Sequence, residues 1–222
     1  MLIGMGFFMK KLNNYNLYLV LSSEYILSKS PVEVTKEALE GGVDILQMRE
    51  KSLSYDELLS LGKELLALCK KSNKLFIVND DPHLAKAIDA DGVHLGQEDI
   101  KKYPIELTRS IIGDDKIIGA STHSIDQFKE ANEKDFDYIA YGPIFFTKTK
   151  PYFIGTDDIE QVIAVASKPV IFIGGINLSN IDELLKLGAK NIALIRAITE
   201  SDNILNTTKN LKEKIANYMD KK

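Results

Sequence analysis

The 222-residue sequence has little of what defines several protein classes. A single cysteine, Cys69, excludes an internal disulfide or a cysteine-rich metal site, and it predicts a reducing, cytoplasmic location. Cys69 lies in an apolar helical pattern, which indicates a core side chain rather than a nucleophile. Lys and Arg total 28 against 32 Asp and Glu, a net charge of −4, so no nucleic-acid partner is expected.

Long apolar runs are also missing. The start, MLIGMGFFMKK, carries its charges after a short apolar segment, which is the wrong order for a secretory signal and far too short for a bilayer. We therefore expect no membrane partner. Residues 1–11 are expected to form a disordered extension, or to precede a true start at Met9, and residues 12–222 to form one catalytic domain.

What the sequence does contain is a strict alternation of short apolar runs and helical patterns. The runs are continuously apolar, as strands buried on both faces should be. The eight predicted strands are Leu17–Leu21, Asp44–Arg49, Leu75–Asn79, Gly92–Leu95, Ile117–Ser121, Tyr138–Ile144, Val170–Gly174 and Asn191–Ile195. Eight such units predict an α/β fold, a single (β/α)8 TIM barrel. A doubly wound open sheet is the alternative, but it would leave a less apolar edge strand.

Two helix starts have clear signals. Ser54 and Glu57 predict a capping box, and Ser179 and Asp182 predict a similar one before a helix ending at Gly188. An apolar face follows the first box, formed by Leu58, Leu61, Leu65 and Leu68.

Polar residues collect where the predicted strands end, which is where the active sites of these barrels lie. The strand ends read QMREK, NDD, GQED, STHS, TKTK, GG and IRA. They place five cations on one rim of an acidic protein: Arg49, Lys51, Lys148, Lys150 and Arg196. This predicts a site for multiply charged anions, although a solvated loop would also use Lys and Thr.

Two carboxylates on neighbouring strand ends, Asp80 and Asp99, predict a Mg²⁺ site, because this ion takes one or two carboxylates together with substrate phosphate oxygens. In the alternative interpretation Asp80 or Asp81 caps the helix beginning at Pro82, and Asp99 is only a helix N-terminal charge.

A second anion site is predicted after strands seven and eight, where such barrels bind phosphate. Gly174 and Gly175 would expose backbone N–H groups there, with Arg196 beside them, unless the glycine pair only makes a tight turn. Two anion sites and a metal, with no pair of nucleophile and base, suggest transfer of a group from a pyrophosphate.

The three histidines add little to this chemistry. His83 is predicted at an exposed helix start and His94 in the core. His123 is predicted at the rim, where it either orders a helix start or acts as a base.

In combination, these motifs resemble thiamine phosphate synthase. GGVDILQMREK, LFIVNDDPHLAKAIDADGVHLGQED, IIGASTHS, DYIAYGPIFFTKTK, PVIFIGGIN and GAKNIALIRAI follow in the family's order between Leu17 and Ile198. The resemblance implies a (β/α)8 barrel that joins a hydroxymethylpyrimidine pyrophosphate to a thiazole phosphate, with Mg²⁺ as cofactor and release of pyrophosphate.

The resemblance also implies residue roles on the pyrimidine side. The pyrimidine pyrophosphate would be held by Gln47, Arg49, Lys51 and Asn79. Mg²⁺ would bind Asp80 and Asp99, and Ser121 and Lys150 would contact the same substrate. Lys51, Ser121 and Lys150 are the implied catalytic residues.

On the thiazole side, the resemblance implies that Thr147 and Thr149 contact the thiazole phosphate, with Gly175 and the backbone of Ile195 and Arg196 at its phosphate.

Three departures from the family pattern bear on the substrate. Phe146 replaces a proline before TKTK, Arg196 replaces a small serine, and the strand-one end LYLVLSS lacks Thr-Asp. Arg196 could bind the phosphate or fill its pocket. A thiazole tautomerase is the second hypothesis, although such relatives lose the acids and lysines kept here. A non-catalytic ligand-binding paralogue is the third.

Overall fold

The computed structural model describes residues 16–219, and within them eight parallel strands close into a barrel. The strands are β1 Leu17–Leu21, β2 Ile45–Met48, β3 Leu75–Asn79, β4 Gly92–Leu95, β5 Ile117–Thr122, β6 Tyr138–Tyr141, β7 Val170–Ile173 and β8 Asn191–Leu194. Each strand pairs with the next, and β8 pairs with β1. The predicted (β/α)8 barrel is confirmed and the open sheet is excluded. The predicted extension at residues 1–11 lies outside the described residues.

Helices follow the strands around the barrel. They are α1 Pro31–Glu40, α2 Tyr55–Lys71, α3 Pro82–Ile88, α4 Gln97–Lys102, α5 Ile105–Ile112, α6 Ile125–Glu133, α7 Ile159–Val165, α8 Ile181–Lys186, α9 Arg196–Thr199 and α10 Ile204–Met219. A short 3-10 helix, Ser23–Tyr25, follows β1. Within residues 16–219, none of the helices is long and apolar enough to cross a membrane.

The strand limits differ most from prediction at β6, which ends at Tyr141 rather than Ile144. Gly142 and Pro143 come next, joined by a cis peptide bond. Proline has no N–H to donate, so the regular ladder stops here. The chain still follows β7, because the N–H of Ile144 donates to the carbonyl of Ile173 at 2.9 Å. This places the following TKTK segment over the barrel mouth.

Alternate residues of each strand point to different layers, as strand geometry requires. In β1, Leu17, Leu19 and Leu21 join the large core between strands and helices. Tyr18 and Val20 belong instead to a smaller cluster inside the barrel. The other buried members of that inner cluster are Ile45, Leu75, Ile77, Ile117, Tyr138, Ile171 and Ala193. Cys69 is fully buried in the outer core, as predicted.

At the end of the barrel opposite the site, aspartates that precede alternate strands accept hydrogen bonds from neighbouring strands. Asp44, before β2, accepts a hydrogen bond from the N–H of Leu17 at 3.1 Å. Asp91, before β4, accepts one from the N–H of Phe76 at 2.8 Å. Asp137, before β6, does the same for the N–H of Ile118 at 2.7 Å. Each carboxylate therefore accepts a hydrogen bond from one of the first two N–H groups of the preceding strand.

One of the two predicted capping boxes is present. Ser54 accepts from the N–H of Glu57, and the Glu57 carboxylate accepts from the N–H of Ser54 at 2.8 Å. The box at Ser179 and Asp182 was wrong. Ser179 donates its hydroxyl to Oδ1 of Asn177 at 2.5 Å, so the helix begins later, at Ile181. Gly188, at φ 92°, lies two residues beyond the last helical residue.

Candidate active site

A cavity of about 830 Å³ opens at the carboxyl ends of the strands. All the residues predicted for the site line it: Gln47, Arg49, Lys51, Asn79, Asp80, Asp99, Ser121, Thr147, Thr149, Lys150, Gly175, Ile195 and Arg196. Lys148 and His123 line it as well. The fold thus gathers residues that are up to 149 positions apart in sequence (196 − 47) around one space. Their individual roles stay predictions.

The helix-cap alternative for the NDD segment applies to Asp81. Its Oδ1 accepts hydrogen bonds from the N–H of His83 at 2.8 Å and of Leu84 at 3.1 Å. Asp80 has a left-handed backbone, with φ 66°, and its side chain lines the cavity instead. Asp99 lies in the first turn of α4, so its charge suits the helix end as well as the cavity.

Asp80 and Asp99 form a close pair of carboxyl groups. Burial raises the pKa of Asp80 to about 6, and the hydrogen bond and charge of Asp99 add to the rise, while Lys51 and Arg49 oppose it. Gly96 makes room for the Asp99 carboxyl, since a Cβ there would lie 2.9 Å from Oδ2 of Asp99. Because burial and mutual repulsion disfavour the charged forms of the two carboxyl groups, the pair favours a cation bound between them.

This pair fits Mg²⁺ better than a transition metal. Within residues 16–219, no group of three or more His, Cys, Asp or Glu side chains is placed to hold a metal. Mg²⁺ does not need such a cage, because it commonly takes one or two carboxylates and completes its shell with water and substrate phosphate.

The TKTK segment forms a tight turn. The Oγ1 atoms of Thr147 and Thr149 lie 2.9 Å apart in a hydrogen bond, and Thr147 pairs with Lys150 in an isolated bridge. The side chains of Lys148 and Lys150 are exposed at the mouth. The turn therefore presents two hydroxyls and two ammonium groups to the same opening.

The glycine pair after β7 has a packing reason as well as a place in the cavity. Gly174 and Gly175 have φ values of 107° and 66°. A Cβ on Gly174 would overlap Pro143, and one on Gly175 would overlap the carbonyl of Phe146. Only glycine allows the loops after β6 and β7 to approach this closely. The glycine pair therefore both makes a tight turn and lines the cavity.

The three histidines have different surroundings. His83 is exposed at the start of α3, as predicted. His123 lies at the cavity wall, where its Nδ1–H donates to the carbonyl of Gly142. Ser124, rather than His123, caps α6. His94 is buried as predicted, but it is not an inert core residue.

His94 belongs to a polar chain inside the barrel that the sequence interpretation missed. Its Nε2 lies 2.8 Å from Oγ of Ser121, and its Nδ1 lies 2.8 Å from Oη of Tyr138. Tyr138 Oη lies 3.0 Å from Oη of Tyr18, which accepts from Nε2 of Gln47 at 3.1 Å. Burial lowers the pKa of His94 to about 4, with a smaller contribution from the charge of His123. The imidazole is therefore neutral near pH 7.

Comparison with known proteins now decides the family. The sequence model of the family described as thiamine monophosphate synthase matches residues 17–198. The chain belongs to the thiamine monophosphate synthase family. It is 44% identical over 201 residues to the thiamine-phosphate synthase of Dictyoglomus thermophilum, covering 89% of each chain. It is 40% identical over 199 residues to that of Halalkalibacterium halodurans, covering 88% of this chain and 93% of the relative.

The same family includes a close structural relative. The thiamine phosphate pyrophosphorylase of Pyrococcus furiosus superposes with a TM-score of 0.85 at 36% identity, covering 93% of this chain and 98% of that chain.

Arg196 contacts a neighbour at the end of its own helix and a residue of the segment that follows β1. Nε of Arg196 donates to Oε1 of Glu200 at 2.6 Å, and its guanidinium lies 5.6 Å from the ring centroid of Tyr25. Tyr25 follows the strand-one end that lacks Thr-Asp, and it also feels the charge of Arg49. Arg196 is thus held at the cavity edge by its neighbours. The third departure, Phe146, is 70% exposed, so most of its ring faces solvent.

Two residues that hold the loops around the site were also not predicted from the sequence. Nε2 of Gln97 donates to the backbone carbonyl of Ser121 and holds the end of β5. Glu50 accepts from the N–H and hydroxyl of Ser23, at 2.7 and 2.8 Å, and fixes the loop after β1. Both lie within motifs singled out from the sequence, GQED and QMREK, so polar residues adjoining the strand ends were the available signal.

Proposed function

We propose that this chain is a thiamine phosphate synthase. It would transfer the pyrimidine methylene group of a hydroxymethylpyrimidine pyrophosphate to the ring nitrogen of a thiazole phosphate. The observation that supports this most is the joining of a cationic rim and a carboxyl pair in one cavity, in a chain of this family. Two of the relatives named above are thiamine-phosphate synthases, and the matches cover 89% and 93% of their lengths.

The chemistry asks the protein mainly to stabilise charge. As the C–O bond to the leaving group breaks, negative charge grows on the pyrophosphate, and Arg49, Lys51 and Lys150 would stabilise it. The thiazole nitrogen has a free electron pair and forms the new C–N bond. No protein base is needed to activate it.

We propose further that Asp80 and Asp99 hold Mg²⁺. The metal would neutralise charge on the departing pyrophosphate. The raised pKa of Asp80 supports this, because burial and the neighbouring Asp99 disfavour its charged form more than Lys51 and Arg49 favour it. We also propose a cytoplasmic location, supported by the lone buried cysteine and the small charged substrates.

On the thiazole side, Thr147 and Thr149 would contact the thiazole phosphate, with Gly175 and the backbone of Ile195 and Arg196 at its phosphate end. The first turn of α9 offers N–H groups without intrahelical partners. Arg196 would add charge from the cavity edge rather than fill the cup, because Glu200 restrains its guanidinium.

Direct turnover tests the proposal. Purified protein is mixed with both substrates, with and without Mg²⁺, and formation of thiamine phosphate is followed. We expect Mg²⁺-dependent product. Folded protein that isomerises a thiazole phosphate without joining it would support the tautomerase instead. Binding of both substrates without any product would support a non-catalytic paralogue, and Arg196→Ser would then be the variant to assay.

A further inference from the structure

The barrel interior contains an unbroken chain of hydrogen bonds that joins two residues of the cavity wall. Starting at Gln47 on β2, it passes through Tyr18 on β1, Tyr138 on β6 and His94 on β4 to Ser121 on β5. Every link is between 2.8 and 3.1 Å long. The three middle side chains are buried, so their polar groups depend on one another for partners.

The direction of each hydrogen bond in this chain follows from counting donors and acceptors. Tyr18 accepts from the amide N–H of Gln47, so its own proton must go to Tyr138. Tyr138 in turn donates to Nδ1 of His94. A neutral imidazole that accepts at Nδ1 carries its proton on Nε2, and this proton is donated to Oγ of Ser121.

A charged imidazole would break this pattern. Both ring nitrogens of His94 would then donate, so Tyr138 would have to give its proton to Tyr18. Tyr18 already accepts from Gln47, and its buried proton would be left without an acceptor. Such a group costs free energy in a dry interior, so the neutral Nε2–H form satisfies the chain best.

We propose that this chain makes Ser121 an obligate hydrogen-bond donor toward the cavity, with His94, Tyr138 and Tyr18 as positioning residues. Oγ of Ser121 accepts a hydrogen bond from Nε2–H of His94, so its own O–H is left to point at a ligand. A donor of this kind suits an acceptor without protons, such as a phosphate oxygen. The identity of that acceptor, the pyrophosphate of the pyrimidine substrate, rests on the proposed function.

The amide of Gln47 sets the direction of the whole chain. If the amide oxygen rather than the nitrogen faced Tyr18, every hydrogen bond in the chain would run in the opposite direction. His94 would then carry its proton on Nδ1, and Ser121 would donate into the barrel instead of into the cavity. The tautomer of one buried histidine therefore reports the state of Ser121.

The first test needs no turnover. Long-range ¹H–¹⁵N spectra of the whole protein resolve the ring nitrogens of its three histidines, and His94→Gln assigns the signals of His94. We expect the protonated, pyrrole-type nitrogen at Nε2 and the pyridine-type nitrogen at Nδ1. The opposite tautomer, or an imidazolium at pH 7, would overturn the proposal.

Two matched variants then separate the chain from packing. Tyr138→Phe removes the donor to Nδ1 and should leave His94 as a mixture of tautomers. Tyr141→Phe makes the same change on the same strand, but its hydroxyl contacts Asp158 at 3.2 Å outside this chain. Tyr141→Phe should leave the His94 spectrum and turnover as they are. Equal spectral changes in both variants would contradict the proposal.

Kinetics supply the last check. Tyr138→Phe should lower kcat by about three- to tenfold, the factor expected for one neutral hydrogen bond. In a Ser121→Ala background it should lower kcat no further, because the group it orients is gone. An equal loss in both backgrounds would mean that Tyr138 acts by packing alone. Absence of wild-type turnover would count against the proposed function. The tautomer of His94 would still test the proposed chain of hydrogen bonds.

Discussion

At the scale of single residues, two adjacent aspartates have different positions in the structure. Asp80 and Asp81 are adjacent, and sequence alone allowed either to cap α3. The structure assigns the cap to Asp81 and turns Asp80 into the cavity through a left-handed backbone. The strand ends were predictable from apolar runs, but the choice between two aspartates depends on one φ angle that no composition signal carries.

The two aspartates provide a matched pair of substitutions for the metal. Asp80→Asn should abolish stabilisation of the protein by Mg²⁺, since it removes one of two proposed carboxylate ligands. Asp81→Asn should retain it, because asparagine caps helices as well as aspartate does. The measurement is the Tm with and without Mg²⁺. A normal Mg²⁺ shift in Asp80→Asn would mean that the ion binds without the carboxylate of Asp80.

The raised pKa of Asp80 also predicts a pH dependence without metal. Its ordinary value is 3.8 and its value in the fold is about 6, so the folded state binds a proton more tightly than the unfolded state. The stability from this protonation is complete below about pH 4 and is lost as the pH rises through about 6. Denaturant unfolding in EDTA should show wild type losing stability relative to Asp80→Asn across this window. A constant difference between the two would contradict the shift.

At the scale of elements, local signals were reliable where nothing competed with them. The box at Ser54 and Glu57 was predictable because both residues are exposed and serve only the helix. The box at Ser179 failed because Asn177 offers its side chain a nearer partner. The aspartates before β2, β4 and β6 were not predicted, since their role depends on the strand beside each of them.

Asp44 tests the importance of this end of the barrel. It is 3% exposed and holds the N–H of Leu17 together with the ammonium groups of Lys74 and Lys212. Asp44→Ala should lower the free energy of unfolding by about 3 kcal/mol or more, because it leaves these groups unpaired. Ser54→Ala, which removes only a cap, should cost about 1 kcal/mol. Both are measured by denaturant titration, and equal losses would mean that the aspartate is no more than a local cap.

At the scale of the whole molecule, the site exists because barrel closure brings every strand end to one rim. That part was predictable, since eight apolar runs buried on both faces leave no edge. The polar chain inside was not, because Tyr18, His94 and Tyr138 sit in apolar runs and look like core residues. Only the closed register shows that they point inward and meet. The proposed function thus involves two layers, a rim that is visible in the sequence and an interior that is not.

The last prediction concerns the lysines at the rim of the cavity. Lys150→Ala should lower kcat by about 10²-fold, as expected for loss of one group that stabilises charge on the leaving pyrophosphate. Lys148→Ala removes the same charge two residues away in the same turn, so a general loss of positive potential would affect both variants alike. Lys148→Ala should therefore show the smaller loss, and raising the salt concentration should not close the gap between the two. Equal effects in steady-state assays would mean that the TKTK turn only attracts its anionic substrates and takes no part in the bond-breaking step.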